Sequence, residues 1–297
     1  MNLDRLEAFV VFSEHLNFTH AARALAVSQP ALHAQIARLS EEVGVPLYLR
    51  TGRALSLTEE GRRLVGFGRD LLSQIDSFEA SLRGEDMSRP VTLAAGEGSL
   101  LYLLGAAIRR FTAQRTAPLK LLTVDQVGAV EALRSGQAQV GVASLTQAPA
   151  DITATPLTAV PAVVLMPADH PLASELGPLP LSALEGASLI VPPAGRPHRQ
   201  TIALSLYEAG VRWQVSVEAS GWELMRRFVS LGLGLSIVNA FCPPPAGCVA
   251  RPLPDLPARQ YWILQRATGR PSPATQQLLS LLLEHAADWR RTGDDGA

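Results

Sequence analysis

The run Ser28-Gln29-Pro30-Ala31-Leu32 puts a hydroxyl, a primary amide and two small apolar groups at the start of one amphipathic segment. A helix end of that make-up suits the edges of base pairs. Gln29 carries donor and acceptor on one planar amide, which matches an adenine edge, and Pro30 and Ala31 offer apolar surface to thymine methyl groups. Thr19, Ser28, Gln35 and Arg38 suit phosphates, which position a protein on a duplex without reading its sequence. Thr19 and Ser28 serve equally as helix caps, and Gln35 and Arg38 as solvated surface. His33, on the same helix, is either a base reader or a plain exposed imidazole.

A second set of groups suits a small ligand. Arg196 and His198 share the loop Pro192-Pro193-Ala194-Gly195-Arg196-Pro197-His198, where they can hold a carboxylate or phosphate or serve as ordinary surface residues. Ser99 opens a predicted helix whose first N–H groups and positive dipole end favour an anion. Trp222 begins another and is either an apolar wall or a core residue. Cys242 and Cys248 flank Pro-Pro-Pro-Ala-Gly, a spacer able to bring two sulfurs together, yet neither thiol has an activating cation beside it in sequence. Without nearby histidines they fall short of a zinc ligand set. Ser144 and Ser236 lack nucleophile-elbow glycines, and there is no phosphate loop or metal-ligand cluster. The chain therefore reads as a non-enzyme with no metal and no cofactor.

These groups need elements to position them. Residues 3–14 read as a helix with Leu3, Leu6, Phe9, Val10 and Ser13 on one face. Thr19 is the expected cap of a short second helix carrying Ala21, Ala22 and Leu25, and Ala26-Val27 make a tight turn. Ser28 caps a third helix with Pro30 in its first turn and Ala31, Leu32, Ile36 and Leu39 as its buried stripe. Small residues at Ala21, Ala22 and Ala31 allow the steep crossing of a helix-turn-helix. Residues 46–50 and 54–57 flank Thr51-Gly52-Arg53 as a hairpin wing, with Arg50 and Arg53 near phosphates. Thr58 caps a helix of about 28 residues, in which Leu57, Leu64, Leu71, Ile75, Phe78 and Leu82 form an a/d seam. That seam calls for dimerisation, or for docking on its own domain. Met87-Ser88-Arg89-Pro90 ends it as a hinge.

Beyond the hinge strands alternate with helices, which implies parallel sheets. Strands are expected at 91–95, 119–124, 140–143, 162–166, 188–191, 214–218, 235–238 and 261–265, and helices near 99–113, 127–135, 199–209, 221–231 and 273–289. The resulting division is a winged helix-turn-helix domain at 1–58, a linker helix at 59–87 and an effector domain at 91–290. That domain has lobe I at about 91–156 and 257–290, lobe II at about 157–256, and a tail at 291–297. The fold class is α+β overall: an N-terminal all-α winged helix-turn-helix, a long linker helix and a two-lobed α/β domain.

The sequence resembles the LysR-type transcriptional regulators along almost its whole length. The resemblance is strongest in FTHAARALAVSQPALHAQIARLSEEVGVPLYLRTGRALSLTEEG, from Phe18 to Gly61. Gly96 and Gly98, Leu133-Arg134-Ser135-Gly136, His170-Pro171-Leu172 and Gly232-Leu233-Gly234-Leu235 match more loosely. The resemblance implies a periplasmic-binding-protein-like domain whose two subdomains are joined by crossover strands. It places a small-molecule effector in their cleft, near Ser99, Leu100, Gln126, Arg196, His198 and Leu235. It also implies dimers paired through linker helices Leu64, Leu71, Ile75, Phe78 and Leu82, commonly assembled as tetramers. Expected partners are double-stranded operator DNA, the effector, further copies of the chain and RNA polymerase. Two positions depart from the family pattern: His33, where a small polar residue is usual, and Gln139, where Asp is common.

Bulk properties agree. The 297 residues, 47% hydrophobic and 18% charged, are those of a folded chain of two or three domains. A net charge of −1 is compatible with a DNA reader that concentrates its positive charge locally. All but one of the 26 basic residues are arginine, a bias that reads as genome composition. No run of about eighteen apolar residues marks a membrane span. With Asp4, Glu7 and Glu14 the N-terminus lacks a signal-peptide layout, so a cytoplasmic location is expected.

Overall fold

The computed structural model describes residues 2–52, 54–82 and 90–294. Each of the first three helices starts at a side chain that takes up backbone N–H groups left free at a helix end. Asn2 caps α1 (Leu3–His15), accepting from the Arg5 N–H at 3.2 Å. Asn17 caps α2 (Phe18–Ala24), accepting from the N–H groups of Thr19 at 2.9 Å and His20 at 3.1 Å. The cap expected at Thr19 is thereby corrected: the Asn17 amide oxygen reaches two N–H groups, and Thr19 falls inside the first turn with its hydroxyl released. Ser28 caps α3 (Gln29–Val43) as expected, its Oγ accepting from the Ala31 N–H at 3.3 Å.

Phe9, Phe12, Ala21, Leu32, Ile36 and Leu39 close one core between these helices. Ala31 is exposed, which corrects its place on the buried stripe. At about 100° per residue it stands a quarter-turn away from Leu32, off the core-facing side. The wing follows as an antiparallel hairpin, β1 (Tyr48–Thr51) and β2 (Ala54–Leu57), with Gly52 at φ 64° in its turn.

The linker helix α4 (Glu59–Leu82) begins where expected, and the rest of the expected span, 83–87, lies outside the described residues. Thr58 caps it as expected: Oγ1 accepts from the Gly61 N–H at 2.9 Å and donates to the Pro46 carbonyl at 2.8 Å. Glycines let α4 lie close to its own chain. A Cβ at Gly61 would stand 2.0 Å from the Leu47 carbonyl oxygen, one at Gly68 2.8 Å from the Val10 side chain, and one at Gly66 2.3 Å from the Arg134 carbonyl oxygen. Arg69 donates to Glu14 at 2.8 Å and to the Ser135 carbonyl, and Asp70 pairs with Arg266. The first half of α4 thus docks on both the winged head and the sensor. Leu64 packs against the head's core, Leu71 and Ile75 are half-buried, and Phe78 is 64% exposed. The Leu82 side chain and the hinge residues Met87, Ser88 and Arg89 lie outside the described residues.

The sensor contains β3 (Val91–Ala95), α5 (Gly105–Gln114), β4 (Leu119–Thr123), α6 (Gln126–Arg134), β5 (Val140–Ser144), β6 (Ile152–Val160), β7 (Ala162–Pro167) and β8 (Ala187–Val191). It continues with α7 (Pro197–Glu208), β9 (Trp213–Glu218), α8 (Trp222–Ser230), β10 (Ser236–Asn239), β11 (Cys248–Pro252), β12 (Arg259–Arg266) and α9 (Pro273–Asp294). One lobe is a five-stranded sheet in the order β4-β3-β5-β12-β6. Its β3 runs parallel to β4 and β5, but β12 is antiparallel to both neighbours, so the sheet is mixed rather than parallel. The other lobe pairs β10-β7-β11 antiparallel and β8-β9 parallel, and a parallel bridge from Leu189 to Leu235 joins the two sets. Pro161 alone separates β6 from β7, and β12 returns the chain to the first sheet.

Two strands, β6 and β11, were not expected. In β6 the apolar residues Ile152, Leu157 and Val160 do not alternate regularly with the threonines, and Pro156 lies inside it. The strand tolerates that proline at the sheet edge, where the register shifts beside Tyr261 and Trp262. The helix expected at 99–113 is two pieces, a π-helical turn at Ser99–Leu103 followed by α5. The last helix runs to Asp294, into the stretch read as a tail.

Candidate DNA-reading face and effector cleft

On α3 the first turn is open to solvent, with Ser28, Gln29, Pro30, Ala31, His33 and Arg38 exposed and Gln35 half-buried. The helical angle puts Gln29 and His33 on the flank beside α2, and Ala31, Gln35 and Arg38 on the opposite flank. The Thr19 hydroxyl donates to Gln29 Oε1 at 3.1 Å. That bond turns the Gln29 Nε2 donors outward and leaves one lone pair on Oε1, so the amide keeps its donor–acceptor pair. Thr19 was expected at a phosphate, but its hydroxyl hydrogen is directed to Gln29. The His33 ring lies 5.0 Å from Phe18, which restrains it on the same flank. On the wing Arg50 is exposed, its Nε donating to the Gly52 carbonyl at 3.1 Å, and Arg53 lies outside the described residues.

Where the cleft was expected, side chains of the two lobes meet. Ser99 is buried and hydrogen-bonds the Tyr261 hydroxyl, which also accepts from Asn239 Nδ2 at 2.8 Å. Burial pushes Tyr261 up to about 12. Of the N–H groups expected to be free at this helix start, that of Leu100 bonds the Gly96 carbonyl at 3.0 Å. Gln126, half-buried, begins α6 behind its cap Asp125, whose Oδ1 accepts from the Gly128 N–H at 2.9 Å.

Arg196 and His198, expected either to hold a carboxylate or phosphate or to be ordinary loop residues, each have a partner within the chain. Arg196 is matched by Asp125 across the cleft at 2.8 Å. His198 Nδ1 lies 3.3 Å from Arg259 Nη2, and its Nε2 lies 2.9 Å from the Ile237 carbonyl. A guanidinium only donates, so Nδ1 carries the lone pair and Nε2 carries the proton. Burial, reinforced by the Arg259 charge, pushes His198 down to about 4, and the ring is neutral. Trp222 stands with its ring 5.1 Å from His198, its backbone N–H donates to Glu97 Oε2 at 3.2 Å, and its indole would abut a Cβ at Gly98. Leu235 does not join this group. It is buried in the second lobe's own core and borders a cavity of about 370 Å³ with His170 and Glu185.

Arg259, Tyr261, Asn239, Glu97 and Asp125 were missed by the sequence reading. One signal was available: Arg259 and Tyr261 are two apart on a strand and so share a face. At the second departure, Gln139 Oε1 accepts from the Thr92 N–H at 2.9 Å, a backbone-supporting contact. Both cysteines are free; burial pushes Cys242 up to about 12 and raises Cys248. Neither has the lowered pKa of a reactive thiol. Among the described residues no group of His, Cys, Asp and Glu is placed to hold a metal ion, and no helix is long and apolar enough to cross a membrane.

A capped helix-turn-helix with a wing, joined by a docked helix to a two-lobed sensor, defines a DNA-binding regulator with an effector-binding domain. Residues 3–62 match the family described as "Bacterial regulatory helix-turn-helix protein, lysR family", and residues 84–287 match "LysR substrate binding domain". The chain belongs to the LysR family of transcriptional regulators. It is 31% identical over 292 residues to the HTH-type transcriptional regulator CatR of Pseudomonas putida, covering 96% of this chain and 100% of CatR. A full-length OxyR variant from Pseudomonas aeruginosa superposes with a TM-score of 0.71 at 25% identity, covering 96% of this chain and 94% of OxyR. The full-length LysG of Corynebacterium glutamicum, with bound effector Arg, shares the fold with a TM-score of 0.73 at 20% identity, covering 97% and 99% of the two chains. The relatives are transcriptional regulators, and this chain is one rather than an enzyme.

Proposed function

We propose that α3 reads operator DNA in the major groove, with Gln29, Pro30, Ala31 and His33 toward base edges. Ser28, Gln35, Arg38, Arg50 and Arg53 face phosphates, and Thr19 orients Gln29. The observation that carries this reading is the Thr19–Gln29 hydrogen bond, which holds an exposed amide ready at a capped helix start. One winged head buries a modest interface, so specific affinity calls for two copies on related half-sites. Pairing through Leu71, Ile75, Phe78 and Leu82 is supported by the exposure of Phe78, at 64%, and of Phe67, at 49% on the same helix face. Such dimers would assemble further into tetramers, act in the cytoplasm and engage RNA polymerase. The effector is a small anionic metabolite held between the lobes.

In vitro selection of random duplex DNA by the full chain tests the reading. The expected product is a site with two related half-sites; no enriched sequence would overturn it. On that site Gln29→Ala loses discrimination at one base step of each half-site, by about 1–3 kcal/mol. Arg50→Ala weakens all duplexes alike and lowers the salt dependence.

A further inference from the structure

We propose that Arg259, at the start of β12, is the residue that binds the carboxylate of the effector, and that His198 positions it. The inference rests on the small-anion reading above and assigns the charge that would hold the anion.

The argument is one of charge accounting. Among the described residues, Arg196, His198 and Arg259 are cationic or potentially cationic groups in contacts where the two lobes meet. Arg196 is neutralised by Asp125, and His198 is neutral by its hydrogen-bond pattern. Arg259 remains. Among the described residues no carboxylate pairs with it, and its hydrogen-bond partner is His198 Nδ1. Of its N–H groups one is directed to His198, which leaves part of the planar fork open. A guanidinium fork presents parallel donors matched to a carboxylate.

Placement supports the same assignment. β12 carries Arg259 and Tyr261 on one face, and the Tyr261 hydroxyl meets Ser99 and Asn239. The charge of Arg259 is felt at both Tyr261 and His198. Arg259 pairs with Val160, one residue before the Pro161 crossing, so it stands where the two lobes join. An anion there touches groups from both lobes at once and couples occupancy to their closure. One unmatched cation is balanced by one carboxylate; a phosphate dianion would leave a charge uncompensated in a partly desolvated site.

The test is thermal denaturation of the full chain titrated with benzoate, butyrate, benzamide and inorganic phosphate. Benzoate or butyrate is expected to raise Tm saturably, while benzamide and phosphate do not. Arg259→Gln is expected to raise the half-saturating concentration at least tenfold, Arg259→Lys by less, and Arg196→Gln by no more than about threefold. Unliganded Tm values check that each variant folds, and Arg259→Lys serves if Arg259→Gln does not. Unchanged carboxylate binding by the Arg259 variants overturns the assignment while leaving an anionic effector in place. No response to either carboxylate, or an equal response to benzamide or phosphate, overturns the anionic-carboxylate reading as well.

Discussion

Arg196 Nη1 lies 2.8 Å from Asp125 Oδ2, so a cap residue of one lobe is ion-paired to the residue that opens a helix in the other. Both side chains are about half exposed, at 50% and 55%, which places the pair among contacts worth at most about 1 kcal/mol. A bond that weak holds two lobes together reversibly. Asp125 has a second task, since its other oxygen caps α6 through the Gly128 N–H.

The two tasks separate by mutation. Arg196→Gln and Asp125→Asn are each expected to lower unfolding free energy by no more than about 1 kcal/mol, because Asn still caps. Asp125→Ala loses the cap as well and should cost about 1 kcal/mol more. Denaturant melts of the three variants measure this, and equal losses for Asn and Ala at position 125 would show that the cap contributes nothing.

Glycine substitutions report on how α4 is held. At Gly61 an added Cβ meets a backbone carbonyl at 2.0 Å, which cannot rotate away. Gly61→Ala is expected to destabilise the winged head by about 2 kcal/mol or more and to weaken operator binding. Gly105→Ala meets nothing within 4 Å at the start of α5 and should be neutral or stabilise by about 0.5 kcal/mol. Thermal melts and operator titrations of the two variants side by side decide this.

The winged head was legible because its signals are local: caps, a proline in a first turn, and a 3.6-residue stripe all lie within a few residues of what they specify. Even so, Asn17 and Thr19 both look like caps, and only the backbone path shows which one reaches the free N–H groups. The cleft was legible as a place but not as a set of contacts. His198 and Arg259 are 61 residues apart, and Ser99 and Tyr261 are 162 apart, so no spacing rule connects them. The sequence also presents Arg196 and His198 as neighbours in one loop. It hides that each has a partner elsewhere, one cancelling its charge and the other fixing its tautomer. The linker seam was legible only as a pattern, because a heptad repeat does not distinguish a face that meets a second copy from one that meets its own head.

The cysteines give a sharp chemical prediction. Burial pushes the Cys242 thiol up to about 12 and raises Cys248, so both are protonated at neutral pH. Alkylation of Cys242 by iodoacetamide at pH 7.5 should run about a thousandfold slower than that of a free thiol, from its thiolate fraction alone. Both thiols should react readily once the chain is unfolded in guanidinium. Rapid labelling of Cys242 in the folded chain would instead revive a redox role.

His198 ties stability to acid pH, with a sign that follows from its surroundings. Its folded-state pKa is lowered from 6.5 to about 4, first by burial and then by Arg259. The unfolded chain therefore takes up this proton before the folded chain does. Stability from the neutral ring is fully present above the unfolded pKa and is lost as pH falls from about 6.5 toward 4. The shift corresponds to a contribution of up to about 3 kcal/mol. His198→Gln cannot titrate, yet its amide can still accept from Arg259 and donate to the Ile237 carbonyl. The expected result is a wild-type unfolding free energy that declines more steeply than that of His198→Gln across this window, with the two curves running parallel above pH 7. Parallel curves throughout would mean that the folded chain holds this imidazole no differently from the unfolded one.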